Sequence, residues 1–195
     1  MNIRNFNFNT TEVTAIASDT YDGDKIWIAF AKNSNDVCWV KKVSANDLTQ
    51  VYFEFSLTVD AITDILWFDE DYLYITVDDD TNLFYMTNPQ APTYPGPEAV
   101  LIPSGINEAP ISIKDDGTYI YLLFPGSAIG EDAKICKYND TSFVETIDLT
   151  GINDAIGMTI DGTDIWVVTN ESPSKLIRVY QISGDIYTFA ITTLE

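Results

Sequence analysis

Residues 22–30 read "DGDKIWIAF", an acidic glycine turn that runs into Ile26, Trp27, Ile28, Ala29 and Phe30 without a polar interruption. A strand in a sheet with one wet face alternates apolar and polar residues, so an unbroken run of this kind calls for cover on both faces. The pattern returns at residues 69–77 ("DEDYLYITV"), 115–124 ("DDGTYIYLLF") and 161–169 ("DGTDIWVVT"). The central aromatics Trp27, Tyr74, Tyr121 and Trp166 are 47, 47 and 45 residues apart, and nineteen residues before each stands Phe8, Phe55, Ile102 or Ile147. A register held through turns as well as strands marks an internal repeat, and a repeat decides the fold.

Each hairpin is followed by a third strand, "VCWVKKV", "NLFYMT", "AKICKYN" or "KLIRVYQI". A fourth comes next: "VYFEFSLT", "EAVLIPS", "FVETIDLT" or "IYTFAITTL". Four short strands per period of about 45 residues, separated by acidic or glycine turns, is the pattern of a β-propeller blade. The expected fold is therefore all-β: a single domain over residues 1–195, four blades at about 12–58, 59–105, 106–151 and 152–195, and an extra N-terminal strand at 5–11. A two-sheet sandwich also has many short, regularly spaced strands, but the near-constant period counts against it. A further variant is an open arc of four blades whose ring is completed by a second copy. No window keeps a 3.6-residue apolar period, so almost no helix is expected.

Composition sets the outer bounds. The 195 residues are 46% hydrophobic, enough for a substantial core, and 13% aromatic, with 11 Tyr and 10 Phe suited to pleated surfaces. Thirty acidic against ten basic residues give a formal charge of -20. That field repels phosphate backbones and anionic lipid, so nucleic acid and membrane are not the expected partners. No apolar stretch is long enough to span a bilayer, and the N-terminus lacks the apolar core of a signal peptide. A soluble chain, cytoplasmic or virion-associated, is expected. The two cysteines, Cys38 and Cys136, are too few for a disulfide scaffold or a four-ligand zinc site. They fall in the third strands of repeats one and three, across the ring, and are expected free and at least partly buried.

The units "DGTDIWVVTN…SKLIRVYQISG" and "DGTYIYLLF" resemble the YVTN and NHL type of propeller repeat, in which an Asp-Gly turn precedes a strand with a central aromatic. "VDAITDI", "NEAPISI" and "NDAIGMTI" resemble the Asp-Ala blade openings of hemopexin-like four-bladed propellers. The resemblance implies a propeller over nearly the whole chain. The aromatic-Trp-Arg element and the disulfide of hemopexin-like domains are missing, so no function is carried over.

Four acids, Glu12, Asp60, Glu108 and Asp154, stand at the turns into the innermost strands. In a propeller those turns converge on the mouth of the central channel, where a ring of carboxylates would suit a hard cation such as Ca²⁺. Acidic residues also favour turns for their own local hydrogen bonding. The second acidic set, Asp22 and Asp24, Asp69 and Asp71, Asp115 and Asp116, Asp161 and Asp164, reads as hairpin turns on the opposite face. Residues 87–98, "TNPQAPTYPGPE", hold four of the eight prolines and read as a loop between the third and fourth strands of blade two, with Pro92, Tyr94 and Pro95 as candidate partner contacts.

The chain contains no histidine, so Ser-His-Asp, Cys-His and imidazole-metal sites cannot be built. A carboxylate pair of the glycoside-hydrolase kind is chemically open, but no pair stands out. The expected role is a non-enzymatic structural or interaction module that presents loops to other protein subunits of a larger assembly, a virion being one setting. A glycan-binding propeller, with Tyr21, Trp39 or Tyr94 stacking on sugars, and a carboxylate-based hydrolase are the alternatives. Four blades need sixteen strands and the chain shows seventeen. Either the N-terminal strand with Phe6 and Phe8 or the C-terminal one is surplus, and a surplus strand can pair with a neighbouring chain, self or other.

Overall fold

The computed structural model describes residues 12–19, 23–69, 72–78, 82–87, 98–127, 130–184 and 186–194. Sixteen strands are formed and no helix is present among these residues. Blade A contains β1 (Val13–Ser18), β2 (Lys25–Phe30), β3 (Cys38–Ser44) and β4 (Val51–Leu57). Blade B contains β5 (Ile62–Phe68), β6 (Tyr72–Val77), β7 (Asn82–Thr87) and β8 (Glu98–Leu101). Blade C contains β9 (Ser112–Asp115), β10 (Ile120–Phe124), β11 (Ala133–Asn139) and β12 (Ser142–Leu149). Blade D contains β13 (Ala155–Asp161), β14 (Asp164–Thr169), β15 (Lys175–Ser183) and β16 (Ile186–Thr193). Each blade is an antiparallel meander in chain order, so short turns suffice and no strand crosses another.

This topology resolves the strand count. The C-terminal strand β16 pairs with β15 and completes blade D from within the chain. The surplus segment is therefore the N-terminal one, which lies outside the described residues.

Apolar runs of both parities become two-faced burial. In β6 and β10 nearly every residue is buried, because one face meets the preceding blade and the other the following blade. Three inter-blade cores result. Trp27, Val40 and Phe55 of blade A pack with Ile65, Trp67 and Ile75 of blade B, Trp27 stacking on Trp67 with ring centroids 5.3 Å apart. Tyr74 and Leu83 of blade B meet Ile113, Leu122 and Tyr138 of blade C. Tyr121, Leu123 and Ile135 of blade C meet Met158, Val167 and Ile177 of blade D. A fourth cluster, Ile28, Phe30 and Val43, lies on blade A, with Val13, Ile26, Trp39 and Leu48 packed against it.

The innermost strands β1, β5, β9 and β13 neighbour one another in that order. Among the described residues, β13 makes no comparable approach to β1.

Polar locks tie the stack. The Asp64 carboxylate at the B–C junction accepts hydrogen bonds from the Ser112 hydroxyl, the Ile113 amide and Lys114 Nζ at 3.1, 3.0 and 2.7 Å. Cys38 on β3 and Cys136 on β11 are free and buried, in blades A and C as expected. Burial raises both thiols, Cys136 to about 11, so neither is poised as a thiolate.

Candidate functional site

The four acids expected to share a cation make local contacts. Asp60 Oδ1 accepts from Lys32 Nζ at 3.0 Å. Glu108 caps a loop, accepting from the Gly126 amide at 2.7 Å and the Ser127 hydroxyl at 3.0 Å. Glu12 and Asp154 use their backbone carbonyls, which accept from the amides of Ala31 and Asn170. Among the described residues no three His, Cys, Asp or Glu side chains gather closely enough to hold a metal ion. The turns place these acids at equivalent repeat positions, and local partners engage the carboxylates of Asp60 and Glu108.

A cleft of about 780 Å³ opens at this end of blades A and B, lined by Lys32, Asp36, Asp60, Asp78 and Asn107 among others. Lys32 lies between Asp60 and Asp36, 3.6 Å from the latter, and the hydrogen bond to Asp60 raises its ammonium above the ordinary lysine range. This is an exposed ion-pair cluster that carries no nucleophile with an adjacent base.

Sequence reading singled out no carboxylate pair, yet adjacent Asp115 and Asp116 shift in opposite directions. Burial raises Asp115. For Asp116 burial works against ionisation, but hydrogen bonds from the Tyr119 amide, the Tyr121 hydroxyl and the Thr118 amide outweigh it and lower the carboxyl. Such a split can separate an acid from a base. Here Asp116 is consumed by its own hairpin, and Asp115 binds the Gly117 amide, so the pair shapes a turn.

The far face of blade D has no following blade among the described residues. Its second strand, "DIWVVT", is as apolar as those of the other blades, but its burial alternates strictly, Ile165, Val167 and Thr169 buried and Trp166 and Val168 half-buried. Antiparallel pairing puts Thr159, Trp166, Val168, Leu176 and Arg178 on one face. A shallow groove of about 240 Å³, floored where Gly157 lacks a side chain, runs between Trp166, Val168 and Leu176. Each such side chain gains about 1.5–3 kcal/mol on full burial, and the half-burial of Trp166, Val168 and Leu176 leaves part of that unrealised.

The repeat shows what the face is shaped for. Trp27, Tyr74 and Tyr121 each point into the following blade and are 0%, 0% and 5% exposed. Opposite Trp27 and Tyr121 on the third strand are Lys42 and Lys137. Lys42 sits 5.6 Å from the Trp67 ring of the next blade and pairs with buried Asp19 at 2.6 Å. Lys137 reaches the Tyr187 hydroxyl of the next blade at 3.0 Å. Blade D repeats the pair: Arg178 faces Trp166, its guanidinium 5.8 Å from that ring and held by Asp164 at 2.6 Å, but its side chain is 49% exposed. An aromatic and an arginine on an apolar patch is the composition of an interface centre.

The proposed partner contacts Phe6, Phe8, Pro92, Tyr94 and Pro95, and the sugar-stacking candidates Tyr21 and Tyr94, lie outside the described residues. Trp39 is half-buried on β3, with Lys41 Nζ 5.6 Å from its ring.

Sequential four-stranded antiparallel blades with cores between successive sheets define the β-propeller class. The chain is similar to the β-propeller domain of Myceliophteria thermophila Cps50 (Swd1), with a TM-score of 0.65 and 8% sequence identity. The match covers 93% of this chain and 58% of that one, so the four blades span little more than half of the neighbour's length. No family model and no curated protein matches the sequence.

Proposed function

We propose that the chain is a non-enzymatic protein-interaction module, a rigid stack of blades that docks other protein subunits of a larger assembly. The half-buried face of blade D, which no blade follows among the described residues, supports this reading: Trp166, Val168, Leu176 and Arg178 repeat the pattern that buries blade against blade elsewhere in the chain. Exposed Val51, Tyr52, Phe143, Val144, Ile186 and Ile191 on the outer strands β4, β12 and β16 add sheet edges open to strand pairing. In the cleft, Asp36 and Asp60 are engaged by Lys32, which favours an ion-pair role for them.

Isolation of the tagged full chain from its native source is expected to yield a stoichiometric protein complex, homomeric or heteromeric, and a glycan array is expected to stay blank. A chain recovered alone, together with saturable binding of one glycan class on the array, would replace this reading with the lectin one.

A further inference from the structure

We infer, on the interaction-module reading, that strand β16 is a docking edge and that its partner is β16 of a second copy of this chain, paired antiparallel about a two-fold axis. The blade D sheet ends at β16, which among the described residues has β15 as its only strand neighbour. Ile186 and Ile191 along it are 62% and 49% exposed. Such an edge presents a row of backbone donors and acceptors with which another strand can pair.

The ladder with β15 fixes which backbone groups face outward. The Leu194 amide donates to the Ser174 carbonyl at 2.8 Å, so Ser174 and Leu194 form a hydrogen-bonded pair. Bonded pairs alternate along an antiparallel ladder with pairs that exchange no hydrogen bond. Thr192 opposite Leu176, Ala190 opposite Arg178 and Thr188 opposite Tyr180 continue the bonded set. Tyr187, Phe189, Ile191 and Thr193 therefore turn their amides and carbonyls to the open edge, and neither proline nor glycine interrupts Ile186–Thr193.

Charge sets β16 apart from the other outer strands and selects its occupant. β4 carries Glu54, β8 carries Glu98, and β12 carries Glu145 and Asp148. Pairing any of those edges with its own copy brings like charges into one ladder, which is destabilising. The β16 sequence, "IYTFAITT", has no charged residue. A basic strand from another protein would be drawn to the acidic edges, whereas the uncharged edge is where two chains of formal charge -20 can meet without opposing carboxylates. Its Ile, Thr, Tyr and Phe residues are those that strand pairing favours. A two-fold contact between identical edges uses up both of them, so it stops at the dimer.

Native mass measurement of the full chain across the micromolar range tests this. A species of twice the 21.8 kDa chain mass is expected, with hydrogen exchange at the Phe189 and Ile191 amides slowing as it forms. Ile191→Pro removes an outward amide and leaves the β15 bonds in place, and Ile191→Lys gives the edge a charge that blunts pairing. Each should return the single-chain mass with an unchanged far-UV spectrum. Three results would overturn the proposal: a single chain at every concentration, a dimer that survives both substitutions, or slow exchange at Phe189 and Ile191 in a single chain that is lost when residues 1–11 are removed. The last would assign the edge to the chain's own N-terminal segment. If the chain is single but Ile191→Pro abolishes a complex with a different protein, this inference falls and the interaction-module reading stands. If the full chain forms neither a dimer nor any complex, both fall.

Discussion

Gly126 shows how tightly a single position can be specified. Its φ is +66°, and a Cβ there would meet the backbone of Asp132 and Ala133 well inside van der Waals distance. Because that neighbour is main chain, it cannot rotate away. Gly126→Ala is therefore expected to destabilise the chain by more than about 1 kcal/mol, the usual left-handed penalty, and to free the Glu108 cap, which equilibrium urea unfolding would register. Lys42 is fixed by a different logic. It and Asp19 are 0% and 2% exposed, and the lysine also lies 5.6 Å from the rings of both Trp27 and Trp67. Lys42→Ala should cost about 3–5 kcal/mol, the range for removing one partner of a buried ion pair, whereas Lys42→Met should recover much of the loss by filling the volume. Melting curves of the two variants separate the effects. Neither environment was legible beforehand. "VKKV" reads as a wet strand, and only the neighbouring blade turns Lys42 inward.

Among elements, hairpins and strands were the most legible. Acidic glycine turns and β-rich runs act over a few residues, so the β2, β6, β10 and β14 segments sit where their sequences place them. The β9–β10 hairpin carries a pH dependence with a definite sign. Asp116 has a folded-state carboxyl below its ordinary value, so its contribution is present above the usual aspartate range and is lost as pH falls through the folded value. Wild type should therefore exceed Asp116→Asn in thermal stability at neutral pH, and the gap should narrow below about pH 4. A gap that stays constant on acidification would show that the Asp116 bonds do not depend on its charge. The strand β14 was less legible. Its run of apolar residues reads as covered on both faces, but whether cover exists depends on what stands beside the blade. A strand cannot encode its neighbour's presence in its own residues.

At the scale of the whole molecule, charge opposes association. Each chain carries a formal -20, so bringing two together raises repulsion that is screened beyond about 10 Å at 0.1 M salt. Association through the apolar face of blade D should therefore weaken at low ionic strength and strengthen as salt is added. Sedimentation velocity across a salt series checks this, and an assembly that dissociates with salt would mean that ion pairs hold it. The cation ring expected at the channel mouth belongs to this scale too. Equivalent sequence positions were read as converging, yet among the described residues no three acids gather closely enough to hold a metal ion, and Lys32 and the Gly126 amide engage Asp60 and Glu108.

The sequence by itself determined the repeat and the four-strand meander of each blade, because turn chemistry and side-chain alternation are local and a meander needs only short connections, but it left open which terminal strand completes blade D. Only the tertiary structure decided which faces are covered and which lysines are buried. The rotation from one blade to the next is set by the side-chain volumes packed between sheets, such as Trp27 on Trp67, and a period of 45 to 47 residues does not specify it.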